Sequence, residues 1–350
     1  MLMKISRRGF LRTLGMTTVM SFDYFYCSSA FAKSERFSWT QGNALNTPIQ
    51  EIYPSVFNGE IYVAGGFIPS NSPVFFGLAP SNQVHIYTPN RNSWRYGAKL
   101  PEARHHLGMA SNSQYLYGIG GFYGSKGNAW QAKDSVYKLA ANGKAWQSAP
   151  SLPIPLAESV YAAHAENIHV IGGKTFDKLA RRNIDTNSHF VLVDNKHWEK
   201  AAPATITRNS AACAVLDKKI FVIGGRKAGT KAQNMQFAEV YDTKADKWEA
   251  IKPLPAALAG LTAVVLNKKI VVAGGEAFGP NGNWRTGKAF SQIWAYDPVK
   301  DSWTQELNMP QPRHGHGAIT LNDKMYIIGG AAKVGPQETL SSLLIMEERA

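Results

Sequence analysis

Six pairs of adjacent glycines, each closing a short apolar run, constrain this chain more than any other feature. They occur in "IYVAGG" (61–66), "LYGIGG" (116–121), "IHVIGG" (168–173), "IFVIGG" (220–225), "IVVAGG" (270–275) and "MYIIGG" (325–330). Successive pairs lie 55, 52, 52, 50 and 55 positions apart. Six tryptophans keep step with them: Trp39, Trp94, Trp146, Trp198, Trp248 and Trp303 each stand 26 positions before the first glycine of the next pair. Between each glycine pair and the next tryptophan lies a further strand-like run, such as "VHIYTP" or "EVYDTK". Each unit therefore reads as four short β-strands, and a period near 50 with this content marks a repeat architecture.

The glycine pair closing a second strand and the tryptophan opening a fourth resemble the Kelch repeat. That resemblance implies an all-β fold, a six-bladed Kelch β-propeller over residues 33–350. The last unit has "LLIMEE" as its third strand and nothing after it, so "FSWTQG" (37–42) is expected to supply the fourth. An N-terminal fourth strand completing the last blade would close the ring and remove open sheet edges.

Residues 1–32 read differently. "SRRGFLR" (Ser6–Arg12), a modestly apolar stretch and "AFA" (Ala30–Ala32) resemble a twin-arginine export signal with an A-x-A cleavage site. This implies export to the periplasm and a mature chain that starts near Lys33. Asp23 interrupts the stretch, and no run approaches the roughly 18 apolar residues of a membrane span. The chain carries a net charge of +13, and without residues 1–32 it keeps 34 basic and 24 acidic residues, or +10. Cys27 leaves with the signal and Cys213 is left without an internal partner, so stability must come from the core.

No nucleic-acid recognition motif accompanies the positive balance. "GGRKAGTK" (224–231) mimics a phosphate loop but ends Gly-Thr-Lys and precedes a strand. A monomer without a cofactor, a nucleic-acid partner or a membrane span is expected.

In a four-stranded meander the glycine pair and the entrance to strand one share a face. The spacing from glycine to the following tryptophan varies from 24 to 29, so insertions fall on that same face, where loops on a rigid scaffold carry binding. Arg104, Arg208 and Arg313 each stand 16 positions before a glycine pair, in blades two, four and six, and are expected to converge on the ring axis. Two positions later in the repeat come Glu51, His106, Glu158, Ser210, Gly260 and Gly315. His105, Asn209 and His314 lie between these two sets of positions. Lys174, Arg226 and Glu276 follow their glycine pairs directly, with Arg285 further along, and Trp130 and Trp284 sit out of register in the same loops.

Three guanidiniums facing one cavity would hold a carboxylate, sulfate or phosphate, and off-register tryptophans would stack on a sugar face. A small anionic molecule is therefore the expected ligand, with ordinary loop packing as the alternative reading of the two tryptophans. Pairing of the arginines with Glu51, Glu158 and Glu276 is the purely structural alternative. His314 and His316, two apart on a strand, should point the same way and, with His105 or His106, could form a metal site. No Cys or Asp completes a ligand spacing, so no metal is assigned.

Among exported Kelch proteins the sequence is similar to the N-acetylneuraminate epimerases, mutarotases that interconvert sialic acid anomers. The resemblance implies a catalytic Glu just after a second strand and an Arg a few residues on; Glu276 and Arg285 come nearest to this, at a longer spacing and in blade five rather than blade four. Mutarotation needs a base for the anomeric hydroxyl proton, an acid for the ring oxygen and fixed cations for the carboxylate. Glu276 is the candidate base, and His106 and His314 are candidate acids or bases. Arg104, Arg208, Arg313 and Arg285 would clamp the anion of a sialic or uronic acid, and Glu51, Glu158, His105, Asn209, Trp130 and Trp284 would complete the ligand set. Two classes compete with this reading: a non-catalytic module for acidic peptides or glycans, and a metal-dependent oxidoreductase of the galactose oxidase type. The latter needs a tyrosine linked to cysteine, whereas Cys213, within "SAACAVL", reads as a small core residue.

Overall fold

The computed structural model describes residues 36–229 and 231–349; the expected export segment, residues 1–32, lies outside the described residues. Six four-stranded antiparallel sheets form the blades of a propeller. Blade one runs Ser55–Phe57, Glu60–Ala64, Val84–Thr88 and Ser93–Tyr96 from the axis outward, and blades two to five repeat this meander. Blade six takes Gly317–Leu321, Lys324–Ile328 and Leu343–Glu348, then Phe37–Gly42, which pairs Phe37 with Glu348 and Gly42 with Leu343. The N-terminal strand thus closes the ring, as the repeat count requires.

The glycine pairs are needed for two reasons. Both members adopt positive φ, from 54° at Gly120 to 103° at Gly275, which a Cβ disfavours. The first glycine also packs on the next blade's backbone: a Cβ at Gly120 would lie 2.3 Å from the Leu156 carbonyl, and one at Gly274 would lie 2.5 Å from that of Arg313. The second glycine donates its N–H to the same carbonyl, 2.9 Å for Gly121 to Leu156 and 2.8 Å for Gly275 to Arg313. Each pair is therefore a seam between blades.

The in-register tryptophans make the matching outer seam. Trp94 donates its indole N–H to Asn43 O at 2.7 Å, Trp146 to Ala98 O at 2.9 Å, and Trp198 to Pro150 O at 2.8 Å; Trp248 and Trp303 repeat the contact. Between the seams, apolar side chains of neighbouring blades interlock: Phe57, Ala64, Val84 and Ile86 of blade one pack on Leu107, Met109, Leu116 and Leu139 of blade two. Burying each of the larger of these side chains contributes roughly 1.5–3 kcal/mol.

The variable second connections are ordered. In blades one to five each continues past its glycines as a two-stranded hairpin, from Phe67–Pro69 with Leu78–Pro80 in blade one to Glu276–Gly279 with Asn283–Ala289 in blade five. Bridges tie the hairpin bases to the strand-one entrances, pairing His105 with Phe122, Asn209 with Arg226 and Ala259 with Glu276. Glycine pair, hairpin and entrance therefore share one face. Among the described residues no helix is long and apolar enough to cross a membrane.

Candidate functional site

Each blade enters its innermost strand through a residue in the left-handed region. These are Glu51 (φ 59°), His106 (51°), Glu158 (53°), Ser210 (52°), Gly260 (60°) and Gly315 (55°). Backbone hydrogen bonds link them around the axis. Glu51 N donates to Gly315 O (2.6 Å), His106 N to Glu51 O (3.1 Å), Ser210 N to Glu158 O (3.0 Å), Gly260 N to Ser210 O (3.0 Å) and Gly315 N to Gly260 O (2.9 Å). In blade six a Cβ would stand 2.7 Å from the Glu51 carboxyl carbon, so a side chain there would have to displace the Glu51 carboxylate. Blades one to four keep side chains in a conformation that costs on the order of 1 kcal/mol each, and such strain gathers at functional sites.

The left-handed turns aim Glu51, His106, Glu158 and Ser210 into a cavity of about 280 Å³ at the hairpin end of the axis. Glu276, His314, Lys174 and Arg226 also line it, and Trp130, Trp284, Phe67, Phe75 and Phe278 form its walls. Every carboxylate there has a cationic neighbour. His106 Nε2 lies 2.9 Å from Glu51 Oε2, Lys174 Nζ lies 3.3 Å from Glu158 Oε2, and Arg226 binds Glu276 while stacking 3.7 Å over the Phe278 ring. Ser210 Oγ donates to Glu158 at 2.8 Å. His314 donates from Nε2 to the Lys333 carbonyl at 2.9 Å, which leaves Nδ1 between two carboxylates, 3.5 Å from Glu276 and 3.7 Å from Glu51.

Burial by itself would raise the Glu51 carboxyl, but the charge and hydrogen bond of His106, with smaller pulls from His314 and His105, hold it at about 2. Burial would depress His106, yet Glu51 and Glu158 outweigh it and Lys174, so the imidazole is raised above its ordinary value. Burial likewise opposes ionisation of Glu158, and Lys174, His106 and the Ser210 hydroxyl pull it below the usual carboxylate range.

The arginine triad is a correction. Arg104, Arg208 and Arg313 are 1%, 3% and 1% exposed and lie inside their blades, away from the cavity. Each guanidinium donates to the carbonyl of the first glycine of its own pair: Gly120 at 3.0 Å, Gly224 at 3.2 Å and Gly329 at 2.9 Å. Arg208 also pairs with buried Glu239 at 2.5 Å, and Arg104 with Glu102. The equivalent positions in blades one, three and five are Ile49, Leu156 and Leu258, all buried, so this is a core position. The left-handed residue two places on breaks strand alternation, which separates the arginines from the collar side chains.

The same break divides His314 from His316 across Gly315. His314 faces the cavity, while His316 is turned below the collar, with Nε2 2.9 Å from Thr262 Oγ1. Among the described residues, no three His, Cys, Asp or Glu side chains gather to hold a metal.

His105 and Asn209 stand behind the cavity: His105 contacts His106, and Asn209 Nδ2 donates to Asp185 at 2.8 Å. Arg285 is exposed on its hairpin, 4.8 Å over Trp284 and not in the lining. Cys213 is partly exposed: it packs against the apolar cluster of Val160, Ala162 and Val222 and also lines a chamber of about 140 Å³ beneath the collar. The cations that do face the cavity, Lys174 and Arg226, occupy the position directly after a glycine pair. That is the position that singled out Glu276 in the sequence, where the cationic role went instead to the triad.

A Kelch motif matches residues 54–101, and the KLHDC2/KLHL20/DRC7 Kelch-repeats domain matches residues 131–330. The chain belongs to the Kelch-repeat family. This Kelch propeller is 26% identical over 301 residues to Kelch-like protein terF of Aspergillus terreus, covering 84% of this chain and 63% of that one. It is 26% identical over 273 residues to Kelch-like protein 35 of Mus musculus, covering 77% and 42%. It thus spans less than two thirds of the length of these curated relatives. A solved structure titled "Structure of YjhT" aligns with a TM-score of 0.72 at 17% identity, covering 87% of this chain and 96% of that one, which establishes a shared fold.

Proposed function

We propose that the cavity binds a small sugar acid and accelerates exchange between its anomers. The observation that carries the reading is His314 Nδ1 poised between the Glu276 and Glu51 carboxylates inside an aromatic-walled cavity. Both distances exceed a direct hydrogen bond, so a ligand oxygen entering there meets a carboxylate and an imidazole together. Trp130 and Trp284 line the cavity together with Lys174 and Arg226, so a bound sugar acid would meet aromatic rings and cations in one place. The sequence resemblance to N-acetylneuraminate epimerases supports the same chemistry.

The step balances without a cofactor. Glu276 takes the proton of the anomeric hydroxyl, the anomeric carbon becomes a carbonyl as its bond to the ring oxygen breaks, and protonated His314 gives its Nδ1 proton to that oxygen. Rotation about the adjacent bond and the reverse transfers close the other anomer. Glu276→Gln is expected to slow anomer exchange of sialic or uronic acids about 100-fold or more in an NMR exchange measurement. The same variant should keep the thermal shift those ligands produce. Unchanged exchange would overturn the assignment, and stabilisation by acidic peptides alone would favour a binding module. Export to the periplasm, proposed from "SRRGFLR", is tested by fractionating cells that express the full chain.

A further inference from the structure

Two carboxylates flank His314, and the groups behind Glu51 form a chain of hydrogen bonds whose proton positions follow from one end. The Ala129 carbonyl can only accept, and it lies 2.7 Å from His105 Nε2, so that nitrogen carries the proton. His105 is fully buried, its ring stacked 3.8 Å from Phe67 and packed on Phe122 and Trp130, with no carboxylate in contact. Burial and the neighbouring His106 push it well below the ordinary imidazole value, so it is neutral and its Nδ1 is a bare acceptor. His106 Nδ1 stands 2.7 Å from that acceptor and must bear a proton. Its other nitrogen, Nε2, faces the Glu51 carboxylate, which also only accepts. Both nitrogens of His106 are donors.

We infer that His105 is a positioning residue, relaying the Ala129 carbonyl to lock His106 as an imidazolium pinned to Glu51. Neither proton of His106 is free for a ligand, so the pair is a static charge couple beneath the substrate. The groups facing His106 are Glu51 from blade one, Glu158 and Lys174 from blade three, His105 beside it, and the rings of Phe67, Phe122 and Trp130. Acid–base exchange then falls to His314 and Glu276, a division that rests on the proposed function; the locked state of His106 does not.

The test is nitrogen-15 NMR of histidine-labelled full-length protein across the neutral range. His106 is expected to keep two protonated ring nitrogens at a pH where an ordinary imidazole has already lost its second proton, and His105 to show a non-titrating Nε2–H tautomer. His105→Phe removes the acceptor and should lower the His106 midpoint by about one pH unit or more, a tenfold loss of proton affinity. His105→Gln, whose amide oxygen can accept the same proton, should restore most of it, and Glu51→Gln attacks the couple from its other end should the aromatic variant fail to fold. A neutral His106 in the wild type, or a midpoint unmoved in Glu51→Gln, would overturn the inference whether or not any sugar turns over.

Discussion

Arg226 of blade four reaches across the blade boundary to Glu276 of blade five, joining residues that hold the same place after their glycine pairs. Both are nearly buried, so deleting one strands the charge of the other. Arg226→Met should cost about 3–5 kcal/mol in urea titration. The double variant with Glu276→Gln should recover much of that loss, because the stranded carboxylate is gone. Equal losses in the single and double variants would show that the two groups are not coupled.

Arg104 is a structural cap. Its guanidinium satisfies the Gly120 carbonyl and Ser135 Oγ while only 1% of the residue is exposed. Arg104→Met is expected to lower stability by about 1–3 kcal/mol, since it leaves a buried carbonyl short of its donor. Sugar-acid affinity by calorimetry should stay within about twofold, because only differences on the order of 1.4 kcal/mol reach tenfold. A large loss of affinity at unchanged stability would return the arginine to the ligand site.

Why this arginine reads as a ligand group in the sequence is a matter of local backbone geometry. The blades were legible because glycine is required where φ is positive and the next blade's carbonyl approaches within 2.3–3.1 Å, as at Gly120 and Gly172. Tryptophan was legible because each indole must reach a carbonyl one blade away. The collar was legible in register, since Glu51, His106 and Glu158 stand at one repeat position, but not in direction. Strand alternation puts Arg104 beside His106 and His314 beside His316, whereas the left-handed turns at His106 and at Gly315 send each pair apart. Nothing in the residue types announces that turn when Glu, His or Ser occupies it; only Gly260 and Gly315 hint at it. The hairpins were equally hidden, and with them the partnership of Arg226 and Glu276.

The Glu51–His106 couple predicts a pH signature. Glu51 is held at about 2 against an unfolded value of 4.5, so its contribution is present above about pH 4.5 and is lost as pH falls through 2. His106 is raised above 6.5, so its contribution is full below about pH 6.5 and fades as pH climbs through the folded value. Both act fully only between those limits. The stability difference between wild type and Glu51→Gln should therefore peak between about pH 4.5 and 6.5 in denaturant titrations. Taking the difference removes the buried neutral His169 and His189, held at about 3 and about 4, which erode stability on the acid side in both proteins. A difference that is flat with pH would contradict the couple.

Trp284 carries the sugar-stacking part of the proposal. It lines the cavity, Phe76 meets its ring edge-on at 5.7 Å, and Arg285 lies over it. Trp284→Ala should weaken sugar-acid binding about tenfold, with Trp284→Phe intermediate, on the scale of one aromatic contact. Calorimetric titration with a uronic acid measures both. An affinity untouched by the alanine change would remove Trp284 from the ligand's path.

The closing strand has a further effect during synthesis. Glu51 emerges from the ribosome early and His314 late, and they meet across the join that Phe37–Gly42 makes with Leu343–Glu348. No nascent fragment that stops short of His314 can bring it to Glu51, so the cavity is complete only once the last blade is made. A chain whose key contacts span nearly its whole length also folds slowly, since the cost of closing so large a loop comes before the contacts that reward it.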